Sequence, residues 1–407
     1  METNDLEELR LFRRQVLQLL PLPHVSWPSP SSLRKASCQD WIYDNLFDAE
    51  KNISLPSERY QLLILKPLLA KIEDSISDPE EDVRRLSLKV DSCIKFIIHI
   101  SAPCILNGSE RGWFSQIYDC FLISIQGISD ALMSHLAELM FTPLPSEADA
   151  AQQKGWVTYV PLLTPSSSDA TTPSLTIDSA TEPTLKLKES RSVISGAGTT
   201  GLRTWEAALH LASYLCSTPT ARTHYITDKH ILELGAGTGF LSILCAQHLG
   251  ASHVTSTDGD EGVIDALKEN LFHNTAEDNV TAGVMRWGWG IKDSLAEFEA
   301  EKRGGLDTVI GADVTYDKTV IPALVSTIRG VFERWPKIEV LISATVRNEN
   351  TFAAFETACA RNRFLVDEVE FPVTPMAEQR CLFHAADVPI RILRIRAPKV
   401  IRDPFAV

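Results

Sequence analysis

The heptapeptide Glu233-Leu234-Gly235-Ala236-Gly237-Thr238-Gly239 constrains this chain more than any other stretch. His230 to Leu234 has the apolar make-up of a buried strand, and Phe240 to Leu249 is an apolar run of helical period. Glycine at every second position lets the chain turn sharply and lets a ligand touch the backbone, because no Cβ stands in the way. Backbone N–H groups at the start of the following helix then face that ligand. The stretch is expected to be a cofactor turn in the first βα unit of an α/β sheet.

Two departures from the dinucleotide fingerprint G-x-G-x-x-G bear on which cofactor. The third glycine comes one residue early, with Phe240 in its place, and Glu233 stands two positions before the first glycine. A carboxylate there repels a pyrophosphate and suits a cationic amino-acid ligand. The form E-x-G-x-G-x-G resembles motif I of the class I S-adenosylmethionine methyltransferases. Val254-Thr255-Ser256-Thr257-Asp258 then reads as a second strand ending in an acid, 19 residues after Gly239. At that distance a carboxylate reaches ribose hydroxyls; the alternative role for Asp258 is to cap the next helix.

A chain of 407 residues is long enough for about two domains. The net charge is −14, and residues 1–150 hold 22 acidic against 14 basic side chains. Neither half has the basic footprint of a nucleic-acid binder. The eight cysteines form no C-x-x-C or His/Cys cluster, so no metal site is expected. The acidic start lacks the apolar core of a signal peptide. The most apolar stretch, Ile94 to Leu106, is too short to span a bilayer. A reduced cytoplasmic compartment, no membrane association and a monomer are the expectations.

Residues 1–150 read as a helical domain. Helical patterns run over Leu6–Leu20, Cys38–Phe47, Glu58–Ile76, Pro79–Ile100 and Ser115–Met140, with a proline-rich loop from Pro21 to Ser32. Its histidines are isolated, and no catalytic constellation is evident. Residues 151–190 read as a Ser/Thr/Pro-rich linker or mobile loop, with a short strand at Leu185–Lys188. Residues 191–407 form the second domain. Thr199–Glu206 is expected to open a helix, with Thr204 as its cap. Strands are expected at 230–234, 253–257, 280–285, 307–312 and 338–344, alternating with helices at 239–249, 260–272, 292–302, 318–334 and 349–362. Such alternation implies a mostly parallel sheet. Final strands at 364–371 and 390–396 lack a helical crossover and fit an antiparallel hairpin at the sheet edge.

Ligands of open α/β sheets bind beyond the carboxyl ends of the strands. At the third strand end stands Met285-Arg286-Trp287-Gly288-Trp289-Gly290. Either indole is able to cover an adenine ring, with Trp287 preferred because it follows the strand directly; both are otherwise core residues. Trp205 is either a core residue or a wall of the cofactor pocket. At the fourth strand end Ala312-Asp313-Val314-Thr315-Tyr316 places a carboxylate where the strand leaves the core. A buried carboxylate asks for a cationic partner; the alternative for Asp313 is a helix cap. Arg347 contacts a protein substrate or is a solvated surface residue.

The D-x-x-Y of Asp313 and Tyr316, taken with Trp205, E-x-G-x-G-x-G and R-W-G, resembles the seven-β-strand protein-lysine methyltransferases over residues 195–360. The resemblance implies a Rossmann-like seven-stranded class I methyltransferase sheet behind a helical N-terminal domain. It implies S-adenosyl-L-methionine as cofactor, with Trp205, Glu233, Gly235, Ala236, Gly237, Gly239, Asp258, Trp287, Trp289 and Ala312 around it. Asp313 and Tyr316 then sit at the target lysine. The segments Ala312–Asp317 and Ser343–Phe352 are most similar to those of members acting on elongation factor 2, which implies that protein as substrate. Two rivals stand beside this expectation: a nicotinamide-dependent Rossmann oxidoreductase and an inactive methyltransferase-fold interaction protein.

Overall fold

The structure, a computed structural model, describes residues 1–76, 127–145, 153–165, 182–190, 199–288 and 305–398. The helices expected at 79–100 and 292–302, part of that at 115–140, and Trp289 lie outside the described residues. The chain forms two compact units, Met1–Leu144 and Pro145–Val407.

The first unit is helical, with helices Thr3–Leu17, Pro30–Leu33, Ala36–Leu46, Glu58–Ile76 and Asp130–Phe141. Leu9, Phe12 and Val16 recur at helical spacing on the first of these and are fully buried, as a stripe facing a shared core requires. Asp5 receives the Lys35 ammonium at 2.8 Å and the Ser32 hydroxyl at 2.9 Å. The Lys35 bond above all holds the Asp5 carboxyl down at about 2. These contacts fasten the first helix to the segment that follows the proline-rich loop.

The second unit opens inside the stretch whose composition suggests a linker. Lys154–Tyr159 (β1) pairs antiparallel with Leu185–Ser190 (β2). Alternation that the Ser/Thr/Pro bias of the intervening residues obscures drives this pairing, for Leu185 and Leu187 are wholly buried on β2. Side chains of the helix Glu261–His273 and of Asn274, just past its end, satisfy the other edge of β2. Asn274 accepts from the Lys186 N–H (2.9 Å) and donates to its carbonyl (2.8 Å), while Asn270 accepts from the Lys188 N–H (2.8 Å). Two asparagines four residues apart, at neighbouring places on the helix surface, thus stand in for a third strand.

The main sheet has seven strands: His230–Leu234 (β3), His253–Asp258 (β4), Val280–Val284 (β5), Thr308–Ala312 (β6), Glu339–Thr345 (β7), Leu365–Val369 (β8) and Ile390–Arg396 (β9). Their spatial order is β5-β4-β3-β6-β7-β9-β8, with β5 to β7 all parallel. The final hairpin is antiparallel as expected, but β9 is inserted between β7 and β8 and runs against both. On the edge strand β8, Asp367 meets Arg396 (2.6 Å) and Arg394 (3.2 Å), and Glu368 meets Arg391 (2.7 Å).

Side-chain alternation divides the two faces. Leu232 and Leu234 of β3 join Val309, Val340, Ile342, Leu393 and Ile395 in a core that the helices Ile321–Arg334 and Glu349–Arg361 cover. The next residue over, Glu233, points to the other face, where the helix Phe240–Gln247 lies. Among the described residues no helix is long and apolar enough to cross a membrane.

Candidate active site

The carboxyl ends of β3 to β7 share one edge of the sheet because the five strands are parallel. The glycine turn follows β3. Gly235, Gly237 and Gly239 have φ of +69°, +55° and +82°, where a Cβ is strained. Space excludes a Cβ as well: at Gly235 it would stand 2.7 Å from Val314 Cγ1, and at Gly237 3.1 Å from the Gly201 carbonyl oxygen. The turn is therefore walled by the Asp313-Val314 segment on one side and by residues 199–204 on the other. Ala236 is buried and its N–H donates to the Thr257 carbonyl at 2.9 Å.

Asp258, at the end of β4, accepts from the Gly237 N–H (3.1 Å) and from the Asp260 N–H (3.2 Å). The cap of the next helix is Asp260, which accepts from the Val263 N–H at 3.0 Å, so capping does not account for Asp258. Burial raises the Asp258 carboxyl above the usual range, against the pull of these N–H groups. Glu233 is 2 % exposed and accepts from the Ser242 hydroxyl. Burial pushes its carboxyl up to about 8, and the Asp258 charge adds to the effect.

Beyond β5, the Trp287 ring lies beside Gly235, its nearest carbon 3.3 Å from where a Cβ would stand. The ring packs on the core, and its indole N–H is buried with no partner among the described residues. Trp205 is half-buried. Its indole N–H donates to the Thr200 carbonyl (3.0 Å), and the Arg347 and Arg203 guanidinium groups stand 5.0 and 5.4 Å from its ring centre. The helix behind it begins at Glu206, later than expected, with Trp205 in the cap position and no side-chain cap. Thr204 does not cap it, because a buried carboxylate claims its hydroxyl: Thr204 Oγ1 donates to Glu189 Oε1 at 2.7 Å.

Ala312 ends β6 next to the turn, Gly311 being paired with Leu234. Asp313 follows at φ +53°, a region that aspartate tolerates better than most residues. Its N–H still donates to the Ser343 carbonyl of β7 (2.9 Å). The carboxylate is 8 % exposed as a residue and accepts from the Thr345 N–H (2.9 Å), the Thr345 hydroxyl (3.1 Å) and Arg347 Nη2 (3.3 Å). Burial raises its pKa, and Arg347 is the largest opposing influence. Arg347 also bonds Glu206, so this exposed cation is shared between two carboxylates. Asp313 is no helix cap, since the next helix begins at Ile321 with no side-chain cap. Tyr316 is 61 % exposed.

The three acids Glu233, Asp258 and Asp313 thus stand at or beneath neighbouring strand ends, each raised by burial. The arrangement favours a cationic ligand and disfavours a pyrophosphate. Of Thr345, Arg347 and Glu206, only Arg347 is singled out from the sequence, as a substrate contact or a surface residue. The signal for the first two was the one used for Asp313, a polar residue directly beyond an apolar strand. Among the described residues no group of three or more His, Cys, Asp or Glu side chains is placed to hold a metal ion.

A profile described as lysine methyltransferase matches residues 180–358, a span that takes in β2 and the parallel strands β3 to β7. Protein-lysine N-methyltransferase EFM3 of Chaetomium thermophilum is 38 % identical over 374 residues, 91 % of this chain and 93 % of that one. The protein of the same name from Saccharomyces cerevisiae is 33 % identical over 43 % of this chain and 53 % of its own. Human protein-lysine N-methyltransferase EEF2KMT is 30 % identical over 48 % of this chain and 58 % of its own.

Proposed function

The chain belongs to the protein-lysine N-methyltransferase family, and from that premise we propose that it methylates a lysine of elongation factor 2, using S-adenosylmethionine, as a cytoplasmic monomer. The observation that carries the reaction is the contact between two loops, for the Asp313-Val314 segment abuts the glycine turn so closely that a Cβ on Gly235 would stand 2.7 Å from Val314; the substrate follows from the likeness to human EEF2KMT. A donor held over the turn and an amine held by Asp313 are then neighbours.

The residues present fit the cofactor. The turn keeps its shape between the Val314 and Gly201 segments because Gly235 and Gly237 lack side chains. Asp258 is suited to the ribose hydroxyls, and Glu233, beneath the turn, becomes a negative partner for the amino-acid end once a bound cation draws off its proton. Trp287 and Ala312 line the adenine side, while Trp205, Ala236 and Gly239 complete the enclosure; Trp289, the alternative to Trp287, lies outside the described residues. Bound S-adenosylmethionine supplies an electrophilic methyl group on a sulfonium.

A protonated lysine amine has no lone pair, and its ordinary pKa is about 10.4. Desolvation in a crevice lowers that value. Asp313 accepts a hydrogen bond from the amine and sets its direction. It is a positioning carboxylate and no strong base, since a nearby negative charge favours the charged amine. Tyr316 forms the open wall of the lysine channel, its ring attractive to ammonium and methylammonium groups. Orientation and fixed electrostatics supply the acceleration.

The test is incubation of the chain with radiolabelled S-adenosylmethionine and purified elongation factor 2, followed by mass spectrometry of the labelled peptide. Label on one lysine of that protein is expected. Absence of label on that protein would overturn the substrate, and no S-adenosylmethionine binding at all would overturn the cofactor.

A further inference from the structure

A buried hydrogen-bond chain joins the β1–β2 hairpin to the glycine turn. Glu189, the penultimate residue of β2, is 5 % exposed. Its carboxylate accepts from the Tyr159 hydroxyl of β1 (3.0 Å), the Thr204 N–H (3.1 Å) and the Thr204 hydroxyl (2.7 Å). Thr204 Oγ1 also lies 2.7 Å from Thr238 Oγ1. A hydroxyl has one proton, and Thr204 gives its own to Glu189. In the second contact Thr238 is therefore the donor. Thr238 stands between Gly237 and Gly239, and it is 3 % exposed.

The same junction is tied twice more. The Ser190 N–H donates to the Leu202 carbonyl at 2.8 Å. Asn270, which accepts from β2 at the Lys188 N–H, donates to the Thr238 carbonyl at 3.0 Å. An ionisable side chain this deeply buried costs stability unless its bonds compensate. Nothing in the packing of a plain hairpin calls for a carboxylate here.

We propose that Glu189 is a positioning residue for cofactor binding: through Thr204 it fixes Thr238, and so holds the glycine turn in the shape that receives S-adenosylmethionine. The proposal rests on the cofactor assignment above. The hairpin is then a working part of the cofactor site, although it lies outside the seven-stranded sheet. Glu189 touches neither cofactor nor substrate and acts only through the turn.

The test uses the full chain and the variants Glu189→Gln, Thr204→Val and the pair combined, with S-adenosylmethionine affinity measured by calorimetry. Each single variant should weaken binding about tenfold, the worth of a buried hydrogen bond to a charged group. The Michaelis constant for S-adenosylmethionine should rise in step, while kcat at saturating cofactor stays within about twofold. The combined variant should lose no more than either single one, because both break the same chain. Folded variants with wild-type affinity, independent losses that multiply to about a hundredfold, or a fall confined to kcat or melting temperature would overturn the proposal. Should Glu189→Gln not fold, Thr204→Val decides alone, since it keeps the carboxylate and the Tyr159 bond. If the wild-type chain binds no S-adenosylmethionine, the cofactor assignment falls and takes this proposal with it. A wild type that binds beside variants that bind equally well sinks the proposal alone.

Discussion

Around the glycine turn the contacts are backbone hydrogen bonds, glycines pressed against neighbouring segments, and buried side chains linked in a chain to β2. At Asp313, a few ångströms away, one carboxylate leans on Thr345 and on an arginine whose side chain is 40 % exposed, beside a tyrosine open to solvent. The first region is built to keep one shape. The second carries a buried negative charge whose cationic partner comes from the surface. A donor of constant shape suits the first, and an acceptor arriving on a protein surface suits the second.

The largest separation of the two regions should come from Asp313→Asn. Asparagine tolerates the left-handed backbone at this position, so the fold should survive. Methyl transfer should fall about a hundredfold or more, with S-adenosylmethionine affinity nearly unchanged. A large loss of cofactor affinity instead would move Asp313 out of the lysine half. Gly237→Ala should do the reverse. A Cβ there meets the Gly201 carbonyl at φ +55° and adds strain of about 1–2 kcal/mol. Cofactor affinity should drop about tenfold, read by calorimetry, while the Michaelis constant for the protein substrate holds.

Arg347→Gln is a subtler probe. Removing the guanidinium takes away the main influence opposing burial, so the Asp313 pKa rises further. The site needs the carboxylate, which is lost as pH falls through that pKa. The ratio of variant to wild-type kcat/KM should therefore decline as the pH is lowered. A flat ratio would show that Arg347 does not govern Asp313. The smallest signal belongs to Glu233, whose carboxyl is protonated below about 8 in the free protein. A cation bound near it lowers its pKa, so binding near neutral pH should release a proton. The enthalpy of S-adenosylmethionine binding should then depend on the ionisation enthalpy of the buffer. No such dependence would mean that the ligand's charge does not reach Glu233.

What was legible in the sequence is what local spacing encodes. The glycine turn, Asp258 and Asp313 were visible because each stands where an apolar strand leaves the core, and strand and helix periods located those exits to within a few residues. Contacts across long sequence separations were not. Glu189 sits in Leu185-Lys186-Leu187-Lys188-Glu189-Ser190 with no motif around it, and its partners Tyr159 and Thr204 are distant in sequence. Thr204 has the sequence signature of a cap because a threonine just before a helix ordinarily is one; a buried carboxylate takes its hydroxyl instead. Arg347 shows the same gap, since the direction of a long side chain depends on what folding brings beside it. The interposition of β9 is a matter of spatial order, which chain order alone does not fix.

The ion pairs between β8 and β9 bear on how this molecule behaves when crowded. β8 closes one side of the sheet, and an open strand invites a neighbouring chain to extend the ladder. Asp367 and Glu368 place carboxylates on that rim, held by arginines of the strand inside it. Another strand sliding alongside would have to approach fixed charge on both faces. The sheet thereby discourages edge-to-edge aggregation through charge on the rim strand itself.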